Sequence, residues 1–173
     1  DMTAVFPDGV SVLGNEGVWD VPSIANPATG VTVAEMTAGV AVQTAIRGFN
    51  PQGTQNSSQD VRLSSVDQYE NPGRNQVSID PIEVVYDPQD PDNATKYKAY
   101  TVLVPNSSGF LVDRRGLAEA DAVVAAQIVD IYTIKLGARN RVSVDPTQEG
   151  GKFASTIKPF VSGPTYQDVP VLV

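Results

Sequence analysis

The chain of 173 residues contains no cysteine and no histidine. Without cysteine there is neither a disulfide framework nor a thiolate-ligated metal. Without histidine the commonest general base at neutral pH, the Ser-His-Asp relay and the usual zinc ligand are all missing. An enzyme built on this sequence would have to run on paired carboxylates or a lysine. Charge is sparse as well: Asp, Glu, Lys and Arg make up 18% of the residues, low for a free-standing surface and suited to repeated subunit contacts. Cations are the scarcer sign, 12 against 20 anions, for a formal net charge of −8. Tight binding to DNA requires phosphate neutralisation, so this balance argues against a nucleic-acid grip while allowing a surface that DNA passes without sticking. Aromatic residues amount to 7%, with a single Trp, which offers little to an exposed binding platform. Apolar runs are short; Ala122–Ala126 falls far below a bilayer span, and a soluble chain is the expectation.

What is present is turn chemistry and β-branched residues. Thirteen prolines and 14 glycines are scattered among Val, Thr and Ile, the signature of short strands joined by turns. The first 17 residues read as an arm or a first hairpin. VWDVPSI (18–24) reads as a strand that Pro22 restricts to an edge or bulge, NPATG (26–30) as a turn and VAEMTAG (33–39) as a single helical turn. From Val40 to Arg47 apolar and polar residues alternate, as in a half-buried strand. FNPQGTQNSSQD (49–60) is polar throughout and is predicted to be a long loop, functional or mobile. Strands are expected at 61–70 and 74–87, joined by a turn at Asn71-Pro72-Gly73, with a phase slip at Asp80-Pro81 where a bulge belongs.

Residues 87–105 hold the best helix candidate, with Asp92 or Asn93 as cap and Ala94, Tyr97, Thr101 and Val104 on one face. FLV (110–112) reads as a short strand, 117–127 has helical composition, and IVDIYTIKL (128–136) reads as a central strand buried on both faces. GARNR (137–141) reads as a turn, 145–152 as a polar loop, and FASTIKPFV and VPVLV as closing strands. The sum is a mainly-β sandwich or barrel flanked by one α-helix.

Few residues suggest chemistry. Asp87, Asp90 and Asp92 could supply oxygen ligands to calcium, but the spacing lacks the glycine and glutamate of an EF-hand. Glu35, Glu70, Glu83, Glu119 and Glu149 permit many carboxylate pairs, and nothing singles one out. No phosphate-loop or dinucleotide fingerprint occurs, and Asn56, Asn93 and Asn106 head glycosylation sequons of the kind that Ser/Thr/Asn-rich loops produce by chance. No metal or cofactor is expected. The feature that stands out is FLVDRRG (110–116), two adjacent arginines at a strand end in an acidic chain. Successive strand residues face opposite sides, so Arg114 and Arg115 cannot line one anion pocket.

Several stretches taken in order resemble the major tail (tail tube) proteins of long-tailed phages, siphophages of actinobacteria in particular. They are WDVPSIANPATGVTVAEMTAGV, SSVDQYENPGR, VVYDPQDPDN, SSGFLVDRRGLAEADAVVAAQIVDIYTIKLG and KFASTIKPFVSGPTYQDVPVLV. None is a catalytic signature; their order carries the resemblance, which covers residues 18–137 and the C-terminal stretch. It implies a single tail tube domain over 1–173, a β-sandwich with a helix, and no active site. It also implies hexameric rings that stack into a tube through which double-stranded DNA passes without specific binding. Partners would be further copies of the chain, the tape measure, the tail tip and the tail terminator, in a virion assembled in the bacterial cytoplasm. On this reading Asp80 and Glu83 are candidates for an acidic lumen that repels the DNA backbone. One of Arg114 and Arg115 would pack on its own subunit while the other reaches a neighbour's acids. The competing reading is a monomeric β-sandwich binding module, an adhesin or a carbohydrate-binding domain.

Overall fold

The computed structural model describes residues 9–173 except 64, 65, 68, 94, 146 and 148–150. The first eight residues of the expected arm and Glu149 therefore lie outside the described residues. The strands are β1 (Glu16–Val21), β2 (Val31–Thr32), β3 (Val40–Ala41), β4 (Ile46–Arg47), β5 (Pro51–Asp60), β6 (Tyr69–Ile79), β7 (Ile82–Val85), β8 (Ser108–Arg115), β9 (Ile128–Arg141) and β10 (Ala154–Leu172). Two short helices, α1 (Val33–Ala38) and α2 (Lys98–Val102), complete the order. The fold is mainly β, as the sequence leads one to expect.

The main sheet runs β3-β1-β8-β9-β10-β7-β4, with β2 joined in parallel to the C-terminal end of β10. Its two outermost strands, β3 and β4, are separated in the chain only by the turn at 42–45. The sheet must therefore curl until its ends meet that turn: Val42 N donates to Val18 O on β1, and Val85 N on β7 donates to Ala45 O. Both outermost strands are two residues long, and β10 between its pairings with β7 (154–157) and β2 (171–172) is paired on one side only, with β9. Curvature comes from β10, whose pairing with β9 slips at three places, between Ile157 and Pro159, Val161 and Thr165, and Tyr166 and Val169. Bulges of this kind bend a strand and admit prolines that a flat ladder would reject.

Alternation puts the core on both faces of the curled sheet. On one face Val18, Leu111, Tyr132, Ile134, Leu136 and Ile157 pack with Val42, Ala45, Ala99 of α2 and Leu103 just after it. On the other, Trp19, Val21, Val112, Val129, Ile131 and Val171 pack under Met36 of α1. Helix α1 is short but well ended: Thr32 Oγ1 accepts from Glu35 N, and Glu35 Oε2 accepts from Thr32 N. That reciprocal capping box uses the Glu35 carboxylate structurally, and its other oxygen accepts from Ala25 N. Just before α1, Gly30 (φ 133°) lies so close to the carbonyl of Pro170 that any side chain would collide with it.

Several expected elements take another form. The alternating stretch 40–47 is two short bridges around a turn, because it crosses from one end of the sheet to the other. The expected loop 49–60 is largely strand β5, and Asn71-Pro72-Gly73 is not a turn but the middle of β6; the two strands pair as a separate ribbon. Aside from Ile79 at its base, no described residue of this ribbon is buried, so no hydrophobic alternation announces it. The phase slip at Asp80-Pro81 is where the chain leaves the ribbon and enters the main sheet as β7. The helix expected over 87–105 shrinks to α2, the segment before it being turns closed by Asp87 and Asp90 carboxylates onto Gln89 N and Asn93 Nδ2. Residues 117–127 form turns rather than helix, β9 continues through the expected turn at 137–141, and the two closing strands are one, β10.

Candidate assembly surface

The DRR sequence ends β8, between β1 and β9. Parity sends Arg114 to the α1 face and Asp113 and Arg115 to the α2 face. Arg114 is fully buried. Its Nη2 donates to Ala118 O (2.9 Å), and its Nη1 to Asp121 O (3.0 Å) and Gln127 Oε1 (3.3 Å). Its guanidinium carbon sits 5.0 Å from the centroid of the Trp19 ring. The indole itself lies over Gly17, the residue opposite Arg114 on β1, where a Cβ would strike the ring. Carbonyls in a non-helical segment still need donors, and one five-donor fork supplies several of them at once. This is why 117–127, helical in composition, wraps around Arg114 instead. Burial lowers the affinity of this guanidinium for its proton, and nearby Asp121 works the other way.

Arg115 points outwards, with about half of its side chain exposed. Its Nε donates to Asp113 Oδ2 (2.6 Å) and lies 3.9 Å from Glu16 Oε1. Asp113 is buried, and its second oxygen has no partner. Burial pushes its carboxyl up to about 6, against the pull of the Arg115 charge. Burial likewise pushes the neighbouring Tyr132 hydroxyl up to about 12, with Asp130 and Asp113 adding to the effect. Arg115, Tyr132, Thr165 and Gln167 line one wall of a cavity of about 390 Å³ beneath the β5–β6 ribbon.

The two acidic candidates lie close together at the root of that ribbon, each with a partner. Asp80 Oδ2 accepts from Asn50 Nδ2 (2.8 Å) and Gln52 Nε2 (3.2 Å), neutral donors that orient its charge without cancelling it. Glu83 on β7 pairs with Arg47 on β4 at 2.8 Å. The sequence reading missed Arg47, because a cation nine residues after a helix carries no local sign of pairing with a strand 36 residues further on. At and just beyond the ribbon's far end, Tyr69 of β6 and Val61, Leu63 and Val66 of the connection are exposed apolar side chains clustered in sequence, an arrangement soluble monomers seldom leave uncovered.

A mainly-β chain with a long half-paired strand, a projecting polar ribbon and an apolar ribbon tip is built to associate. Comparison with known families agrees: residues 3–173 match the family described as phage tail tube protein, and the chain belongs to it. Comparison with curated proteins gave no match. The protein is thus a structural component of the phage virion, not an enzyme, and it assembles with itself and with other tail proteins. No helix among the described residues is long and apolar enough to cross a membrane.

Proposed function

We propose that the chain is the repeating unit of a hollow tail tube, six copies closing each ring and rings stacking into the conduit for double-stranded DNA ejection. The observation that carries this reading is the β5–β6 ribbon. A two-stranded ribbon exposed on both faces is marginal by itself, and this one offers long unpaired backbone edges and an apolar tip. Pairing these edges between copies removes them from solvent and extends the sheet around a ring. Arg115, exposed beside Glu16 and Asp113, offers its remaining donors to a carboxylate of the adjacent copy. Asp80 and the net charge of −8 favour a lumen that DNA slides along rather than sticks to, with Glu83 partly offset by Arg47. The tape measure, the tail tip and the terminator complete the set of partners, and assembly takes place in the host cytoplasm.

Negative-stain electron microscopy of purified protein tests the reading. Hollow tubes or six-fold rings are expected, and Arg115→Glu should yield folded subunits that fail to close them. A wild-type chain that stays monomeric at high concentration, even beside a tail-tip nucleus, would sink the proposal; a variant that builds normal tubes would remove Arg115 from it.

A further inference from the structure

The register slip between Ile157 and Pro159 places Arg139 opposite Ile157 and Arg141 opposite Ser155. Leu136 and Ile157 both belong to the core on the α2 face, so the slip turns Arg139 and Arg141 towards the same side. There Arg139 Nη2 donates to Tyr100 O (2.7 Å) and Leu103 O (2.6 Å), closing the end of α2. Its guanidinium lies 3.8 Å from the Tyr100 ring centroid, and Tyr100 stacks in turn on Tyr86 at 4.3 Å and 11°. The stack forms one wall of a polar cavity of about 330 Å³, with Pro88 and Pro91 as another and Arg141 and Ser155 completing it.

Two groups of this cavity are left without partners. Ser155 is 1% exposed, and its hydroxyl makes no hydrogen bond. The side chain of Arg141 is exposed and makes no hydrogen bond or ion pair among the described residues. A buried hydroxyl without a partner is costly, and a free guanidinium in a chain so rich in carboxylates is anomalous. The walls are rigid, since prolines and a three-member stack have little freedom to rearrange. The cavity thus offers a planar anion a fork-shaped donor at its mouth, the Arg141 guanidinium, while the Ser155 hydroxyl lies sealed beneath it.

We propose that this cavity is a carboxylate-binding site, filled in the assembled tube by an Asp or Glu side chain of a second copy of the chain. The proposal rests on the reading of the chain as a self-assembling subunit. Each copy carries 20 acidic residues against 12 basic ones, so a docked neighbour offers carboxylates in plenty, and docking through the rest of the surface spends the entropy that a free anion would have to lose at this site alone. The contact would be distinct from Arg115, which lies at the other end of the α2 face beside Glu16 and already holds Asp113.

The test compares tube formation by the full-length chain with that of Arg141→Glu, Arg141→Lys and Ser155→Ala, reading the pelleted fraction and micrographs, with circular dichroism as the folding control. Wild-type tubes are required first; their absence would defeat the tube reading itself rather than this site. Given them, Arg141→Glu should cut the assembled fraction about tenfold or more with the fold intact. Arg141→Lys should assemble better than Arg141→Glu, and Ser155→Ala should assemble normally while leaving the subunit at least as stable. Normal tubes from Arg141→Glu would overturn the proposal. So would a midpoint of thermal unfolding that rises with millimolar inorganic phosphate or acetate in the wild type but not in Arg141→Glu, if both chains assemble equally, since the site would then serve a free anion. A rescuing Asp→Lys or Glu→Lys exchange in the Arg141→Glu background would identify the donor of the acid.

Discussion

Asp113 and Asp20 are acids held where water reaches poorly, and burial pushes both carboxyls up to about 6. Their unfolded counterparts titrate near 3.8, so between these values the folded chain binds more protons than the unfolded one. Stability from these groups is therefore greatest at low pH and is lost as the pH rises through 6. For Asp113 alone the subunit should be about 1 kcal/mol more stable at pH 5 than at pH 7.5. Urea midpoints at the two pH values measure this, and Asp113→Asn should remove its share of the difference. A pH dependence identical in wild type and Asp113→Asn would refute the assignment. Arg115 pairs with Oδ2 alone, so the buried Oδ1 keeps its desolvation cost when the carboxyl ionises, which is the direction of the shift. At this scale the sequence was informative in one respect: strand parity alone separates Arg114 from Arg115. Which of them turns inward was not legible, because that depends on Trp19, Gly17 and a segment further along the chain.

Elements are held by contacts that composition does not reveal. The helical turn at 33–39, the strand around Trp19 and the break at Asp80-Pro81 follow local rules and were readable, although the Thr32–Glu35 capping box that starts the turn was missed. The ribbon β5–β6 was not, since residues such as Gln52, Thr54, Asn75 and Gln76 face solvent on both sides and mimic a loop. The 117–127 segment fails in the opposite sense: its alanines favour helix, yet several of its carbonyls are claimed by Arg114. Arg114→Met keeps bulk while removing the donors, leaving those carbonyls without their shared partner and the buried site without its hydrogen bonds. We expect a loss of about 3 kcal/mol in urea denaturation. Hydrogen exchange should quicken across 116–127 while α1 stays protected. Uniformly faster exchange, or no loss of stability, would show that the segment holds its shape without the guanidinium.

At the scale of the whole molecule, the curled sheet and the ribbon divide the work. The main sheet buries its core on both faces and joins its own ends through the turn at 42–45, so it needs no neighbour to be stable. The ribbon contributes almost nothing to that core, since no described residue between Thr54 and Gln76 is buried, yet so much polar backbone is held in extended form. If its purpose is contact between copies, it can be removed without unfolding the subunit. Thr54 and Gln76 are cross-strand partners, so replacing 55–75 by Asn-Gly should close a tight hairpin at that level. Because no core contact is lost, the thermal midpoint should move by no more than about 2 °C. Tube formation should be abolished, and the shortened chain should sediment as a folded, unassembled species. Tubes of normal length from the shortened chain would show that the ribbon is not the contact element and would shift the burden of assembly onto the curled sheet. A truncation that unfolds the subunit would instead show that the ribbon stabilises its own sheet, through the cavity it covers above Arg115 and Tyr132.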